Sequence, residues 1–169
     1  MRHEFTKPER FVAGTVGQPG ERAFYLQVRS GKRLFSVAVE KAQVQAISAR
    51  MEIMVSEVRK ANPLITVERL PLDDAPLESP IDSEFAIGAM SLSWNEETQL
   101  ICVELFELED DEEDSEGEVV EINITLGMAA SFSSRSKAVV IAGRLPCPFC
   151  GIPIDPRGHL CPRANGYRR

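Results

Sequence analysis

The sequence predicts an α+β fold, antiparallel sheet with helices packed on one face, followed by a small C-terminal zinc-binding segment. Three observations predict it. Short apolar stretches with period-two alternation recur between turn signals, and two longer stretches carry helical spacing instead. The order strand-strand-strand-helix occurs twice, a βββα-βββα arrangement of the kind that packs helices on an antiparallel sheet. After the second helix the chain changes character and gathers three of its four cysteines within 15 residues. The repeat lies in element order rather than residue identity and points to an internal duplication, with halves 1–62 and 81–143 and a linker 63–80. The chain therefore divides into a body, 1–143, and a zinc-ribbon-like segment, 144–169.

Arg10–Gly17 reads as the first strand, and Gln18-Pro19-Gly20-Glu21 as a turn. In Ala23–Arg29, Phe24, Leu26 and Val28 alternate with Tyr25, Gln27 and Arg29. Ser30-Gly31-Lys32 makes a hairpin into Leu34–Val39, completing an antiparallel meander. Val44, Ile47, Met51, Met54, Val55 and Val58 then fall at spacings of three and four, the stripe of an amphipathic helix. Glu40 near its start and Arg59-Lys60 at its end suit the helix dipole, and Asn62-Pro63 stops it. Pro63–Pro80, with four prolines and the pair Asp73-Asp74, is an extended crossover with a short strand expected at Leu64–Val67. Phe85–Trp94 and Leu100–Leu108 are strands about the turn Asn95–Thr98, the acidic stretch 109–118 is a loop, and Val119–Leu126 returns as a strand. A second helix fits Met128–Ala142, weakened by Ser131, Ser133, Ser134 and Ser136 and capped by Gly143.

With 169 residues, 43% apolar and 27% charged, the chain fits a soluble domain that buries roughly two-thirds of its unfolded surface. It has no apolar run near the roughly 20 residues of a membrane span, and its N-terminus has no apolar signal region, so a cytoplasmic protein is expected. The net charge of −7 hides an asymmetry. Residues 1–134 carry 12 Lys/Arg and 25 Asp/Glu, whereas 135–169 carry seven Lys/Arg and one acid, Asp155. An acidic body repels phosphate backbones, which argues against nucleic-acid binding by the whole protein.

The segment runs Pro146-Cys147-Pro-Phe-Cys150-Gly151, then eight residues Gly151–Gly158, then His159-Leu-Cys161. A Cys-x-x-Cys turn presents two thiolates to one cation, and His159 and Cys161 supply the other two corners of a tetrahedron. Zinc takes this N/S set without redox chemistry, so Cys147, Cys150, His159 and Cys161 are the expected ligands of a structural zinc; His3 or water are alternatives for the fourth. Five prolines restrict the loop, and metal binding supplies folding energy that the small segment lacks. A redox Cys-x-x-Cys needs its first cysteine at a helix N-terminus, and the Gly-Ile-Pro-Ile-Asp-Pro that follows is not a helix. Four protein ligands leave no open position for a catalytic zinc.

Other constellations read as structure. Gly14-Thr-Val-Gly17-Gln-Pro-Gly20 lacks the Lys-Ser/Thr ending of a P-loop, and 109–118 lacks the register of an EF-hand. Cys102, between Ile101 and Val103, reads as a small buried side chain, Trp94 as core or rim, and Asp73, Asp74, Asp82 and Glu84 as acids near a strand start. With two histidines in all, no nucleophile–base pair is available unless His159 leaves the metal.

Phe11-Val-Ala-Gly-Thr-Val-Gly-Gln-Pro-Gly-Glu-Arg-Ala-Phe-Tyr-Leu-Gln27 and the ending Cys-Pro-Phe-Cys-Gly…Asp-Pro-Arg-Gly-His159-Leu-Cys-Pro-Arg-Ala-Asn-Gly-Tyr167 resemble an uncharacterised family of actinobacterial proteins, a catalogued domain of unknown function. The resemblance covers essentially the whole chain, departs at the serine-rich 127–136, implies a bacterial cytoplasmic protein and adds no mechanism. The residues themselves favour a zinc-stabilised binding or adaptor protein that recognises another protein, with Arg157, Arg163, Asn165, Tyr167, Arg168 and Arg169 as contact residues. The alternatives are nucleic-acid binding through the basic tail and an uncharacterised enzyme. No membrane contact is expected.

Overall fold

A computed structural model describes residues 1–18, 20–111 and 116–142. Among these, seven strands and two helices form in the order β1 (Arg2–Thr6), β2 (Arg10–Val16), β3 (Ala23–Ser30), β4 (Arg33–Val39), α1 (Lys41–Ala61), β5 (Ser83–Asn95), β6 (Leu100–Glu107), β7 (Val119–Ile124) and α2 (Leu126–Ile141). They build one sheet ordered β1-β7-β6-β5-β4-β3-β2. The fold is α+β, and the strand-strand-strand-helix order occurs twice after β1.

The expectation of a purely antiparallel sheet is corrected at two places. β4 and β5 are parallel, because α1 carries the chain back across the sheet before β5 begins. β1 is parallel to β7, with Phe5 opposite Ile122. β1 was not expected from the sequence: only Phe5 of its five residues is buried, and its partner lies more than 100 residues away. The strand expected at Leu64–Val67 does not form; Leu64 lies in a turn closed by the Ile65 N–H on the Asn62 carbonyl at 3.0 Å, and the residues after it have no ladder partner. The second helix begins at Leu126, two residues earlier than expected, because Thr125 Oγ1 accepts from the Met128 N–H and caps it. Gly143, expected as its C-cap, lies outside the described residues.

β1 and β2 form opposite edges of the sheet, yet Lys7, Pro8 and Glu9 alone join them. That connection spans at most about 14 Å. A flat seven-stranded sheet would hold its edges about 29 Å apart. The sheet must therefore coil until its edges approach, and the side chains agree. Phe35 of β4 meets His3 and Phe5 of β1 at ring-centroid distances of 4.8 and 5.9 Å. β5 makes the bend. It pairs with β4 near its start and with β6 from Ile87 onward, with an irregularity between Ile87 and Met90. The Gln43 side chain, in the first turn of α1, fixes that irregularity by donating to the Ile87 and Gly88 carbonyls at 3.1 and 3.2 Å. Gln43 Oε1 also accepts from the Glu40 N–H at 2.8 Å, closing the start of the helix.

The core lies between the concave face of the sheet and the two helices. α1 contributes its predicted stripe, Val44 to Val58, all buried. α2 contributes Phe132, whose ring stacks on Phe11 of β2 at 4.5 Å and 9°. The helices run parallel: Ser133 Oγ donates to the Ser48 carbonyl at 2.8 Å, and one turn on Lys137 pairs with Glu52. Neither sheet edge is left bare at its centre. Arg33 lies over the Phe5 ring at 4.2 Å and donates to the Glu4 carbonyl on the outer side of β1. On β2, Arg135 donates to the Ala13 carbonyl.

Candidate functional site

The convex side of β2, β3 and β4 is covered by the crossover between α1 and β5, which acts as a strap. Leu77 lies directly over Gly14, where a Cβ would stand 2.5 Å from its side chain, so only glycine fits beneath it. Further along, the buried Gln27 amide treats the strap as a neighbouring strand. Its Oε1 accepts from the Glu78 N–H at 2.8 Å, and its Nε2 donates to the Glu78 carbonyl at 2.9 Å and to Ser36 Oγ at 3.1 Å. At the strap's other end Glu68 accepts from Thr125 Oγ1 at 3.0 Å, beside the first turn of α2.

The centre of the strap is held by Asp73. Arg10 grips its carboxylate with two bonds, Nε at 2.7 Å and an η nitrogen at 3.0 Å, and donates also to the Ala75 and Pro76 carbonyls. Arg135 reaches the same place from α2. Its Nε donates to the Ala13 carbonyl at 2.9 Å, and its η nitrogen to the Asp73 carbonyl at 2.8 Å and carboxylate at 3.3 Å. Arg135 is only 8% exposed. The Arg10 hydrogen bond holds the Asp73 carboxyl below its ordinary range, and burial pulls the Arg135 guanidinium down.

This clamp shapes a groove of about 360 Å³ at the β2 edge. Phe11, Val12 and Met128 line it on the body side, and Leu70, Pro71 and Leu72 on the strap side, with Asp74 beside them. Leu72 is 78% exposed and Leu70 38%. The strap is tethered on both sides of these leucines, so their positions are set before anything binds.

The convex face of the other half-sheet is largely polar, with Phe106 and Val119 paired at one end. Ile101, Val103 and Leu105 point inward, so Cys102 and Glu104 point out. Cys102 is thus half-buried on the outer face and not in the core as its neighbours implied. Its Sγ donates to Glu121 Oε1 at 3.3 Å, and burial together with that carboxylate pushes the thiol up to about 11. Arg2 bridges Glu104 and Glu121 at 2.7 and 3.5 Å. His3 contacts Glu118 at 2.7 Å, giving it a partner in the body. Trp94 is partly buried against the core, as expected of a rim residue. Of the acids noted near the β5 start, Asp73 belongs to the clamp. Among the described residues no three His, Cys, Asp or Glu side chains group as a metal site. Cys147, Cys150, His159 and Cys161, and the tail residues Arg157, Arg163, Asn165, Tyr167, Arg168 and Arg169, lie outside the described residues. Among the described residues no helix is long and apolar enough to cross a membrane.

Sequence reading missed Arg10, Arg135 and the leucines of the strap. A signal existed for one: Arg135 is the single charge between Thr125 and Ser136, in a stretch otherwise built of small and apolar residues.

Coiled sheet, paired helices and a strapped edge define an α+β domain that offers a preformed surface groove. The chain belongs to the DUF3090 family, proteins of unknown function, whose pattern spans residues 3–161. No curated protein and no solved structure matches it.

Proposed function

We propose that this is a zinc-stabilised binding protein of the cytoplasm, which recognises another protein through the groove at Leu70–Leu72 and through its basic tail. One observation carries the reading: Leu72 is held 78% exposed on a strap that two arginines fix in place. An apolar side chain displayed on a rigid support is expensive to leave in water and cheap to bury against a partner. The strap's Asp74 and the acidic body select a partner segment that mixes apolar residues with Lys or Arg. The donor set Cys147, Cys150, His159 and Cys161 suits one tetrahedral zinc, which would hold the turn that leads into Arg157, Arg163, Asn165, Tyr167, Arg168 and Arg169.

Leu72→Arg tests the groove. Partners captured by crosslinking in native lysate, and basic-apolar peptides from an array followed by fluorescence anisotropy, should bind at least about tenfold more weakly to the variant. The substitution lies on the surface, so stability should change by no more than about 0.5 kcal/mol. Undiminished binding by Leu72→Arg removes the groove from the interface. The metal is tested separately. Purified protein should carry one equivalent of zinc, lost with Cys147→Ser, whereas a metal-free chain with a Cys147–Cys150 disulfide sinks the assignment.

A further inference from the structure

The two helices end at different levels. Ser133 bonds to Ser48 and Lys137 pairs with Glu52, both at an offset of 85 residues. Carried one turn further, that offset sets Ile141, the last residue of α2, beside Ser56. α1 continues to Ala61, so its final five residues, about 7.5 Å of helix, run on past the end of α2 with no other helix beside them among the described residues. The step is an open groove of about 590 Å³, lined by Ser56, Arg59, Lys60, Pro63 and Ile65 among others. Apolar side chains stand in water around it: Leu64 is 98% exposed and Ile141 54%.

The chain itself supplies a matching occupant. From Ala142, at the edge of this step, 27 residues of the 169 continue. Their first part carries Leu145, Phe149, Ile152 and Ile154, too few apolar residues to make a core of their own. Leu145 lies three residues past Ala142 and so reaches about 10 Å, enough to pass Ser56 and meet Lys60 and Pro63. Residues 145–154 carry no charged side chain, and Asp155, the only acid in 143–169, follows them directly, while the step presents Arg59 and Lys60.

We propose that the chain's own residues 145–154 dock on the step between the end of α1 and Pro63–Ile65, placing Leu145, Phe149 and Ile152 against Leu64, Ile65 and Ile141. This contact would fix the cysteine segment to the body and give the basic tail beyond Asp155 a defined starting point. It is separate from the groove at Leu72, and the two stand or fall on different experiments.

Amide hydrogen exchange on the full chain tests it, comparing wild type with the double variant Phe149→Asp, Ile152→Asp. Amides of residues 57–65 should exchange at least about tenfold faster in the variant, while those of β3 keep their protection and report an intact body. Ile141→Asp, made from the other side of the contact, should expose the same amides. Protection of 57–65 in wild type should also survive tenfold dilution. Equal exchange at 57–65 in wild type and both variants overturns the proposal. So does protection that falls on dilution, which would assign the step to a second copy of the chain.

Discussion

Asp73→Asn is expected to destabilise the body by about 3 kcal/mol at pH 7, the scale of breaking a buried charge pair by removing one partner. The size follows from what the carboxylate balances. Arg10 and Arg135 side chains are 11% and 8% exposed, and both send hydrogen bonds to Asp73. Asparagine keeps one acceptor but no charge, leaving two guanidinium groups together with little water to screen them. The pH dependence fixes the cause. The Asp73 carboxyl is held below its ordinary value, chiefly by the Arg10 hydrogen bond. Its contribution is therefore fully present above the unfolded value near pH 4 and is lost as pH falls through the lower folded value. Urea denaturation of wild type and variant should differ most at pH 7 and converge as the pH falls below the ordinary aspartate range. A gap unchanged across that range would mean that shape, not charge, sets the effect. The strap should also loosen, so trypsin should cut after Arg69 faster in the variant.

Elements that declare themselves by local pattern were legible. The α1 stripe, the β3 alternation and the hairpin at Gly31, whose φ of 61° suits glycine, all stand where the sequence puts them. What escaped was set by distant partners. β1 has one buried residue in five and exists because β7 offers it a ladder and Phe35 a face for Phe5. Leu64–Val67 has strand-forming residues but pairs with no strand, and propensity without a ladder partner does not make a strand. Cys102 sits in an apolar run, but the period of two turns it outward between two inward neighbours. Alternation was the better guide there than local hydrophobicity.

The clamp was hidden for a similar reason. Asp73 drew notice as one of several acids in a proline-rich stretch, but nothing local distinguishes it from Asp74. Its role comes from Arg10, 63 residues earlier, and Arg135, 62 residues later, which only the coiled sheet brings together. The cysteine segment is a different case: the expectation that Cys147, Cys150, His159 and Cys161 bind zinc rests on residue types within one short stretch, which lies outside the described residues.

Phe132→Ala should be the most damaging single substitution in the body, costing about 4 kcal/mol by urea denaturation. α2 meets α1 largely through small residues: Ala129, Ser133 and Ser136 are buried, and Phe132, 1% exposed, is the large apolar side chain among them. Truncating it removes the stack on Phe11 and leaves a cavity as big as a ring. Collapse into that space is resisted on both sides. Ser133 ties α2 to the Ser48 carbonyl, and Arg135 ties it to Ala13 and the strap. A site that cannot collapse keeps its cavity, which puts the cost towards the upper part of the usual range. Phe132→Leu, which refills much of the volume, should cost no more than about 1.5 kcal/mol. Because Phe11 also lines the groove beside Leu72, Phe132→Ala should weaken partner binding as well as stability, whereas Met51→Ala, on the far helix, should cost stability while leaving binding by the folded fraction unchanged. Equal loss of binding in both variants would show that the body's overall stability, and not the floor of the groove, governs recognition.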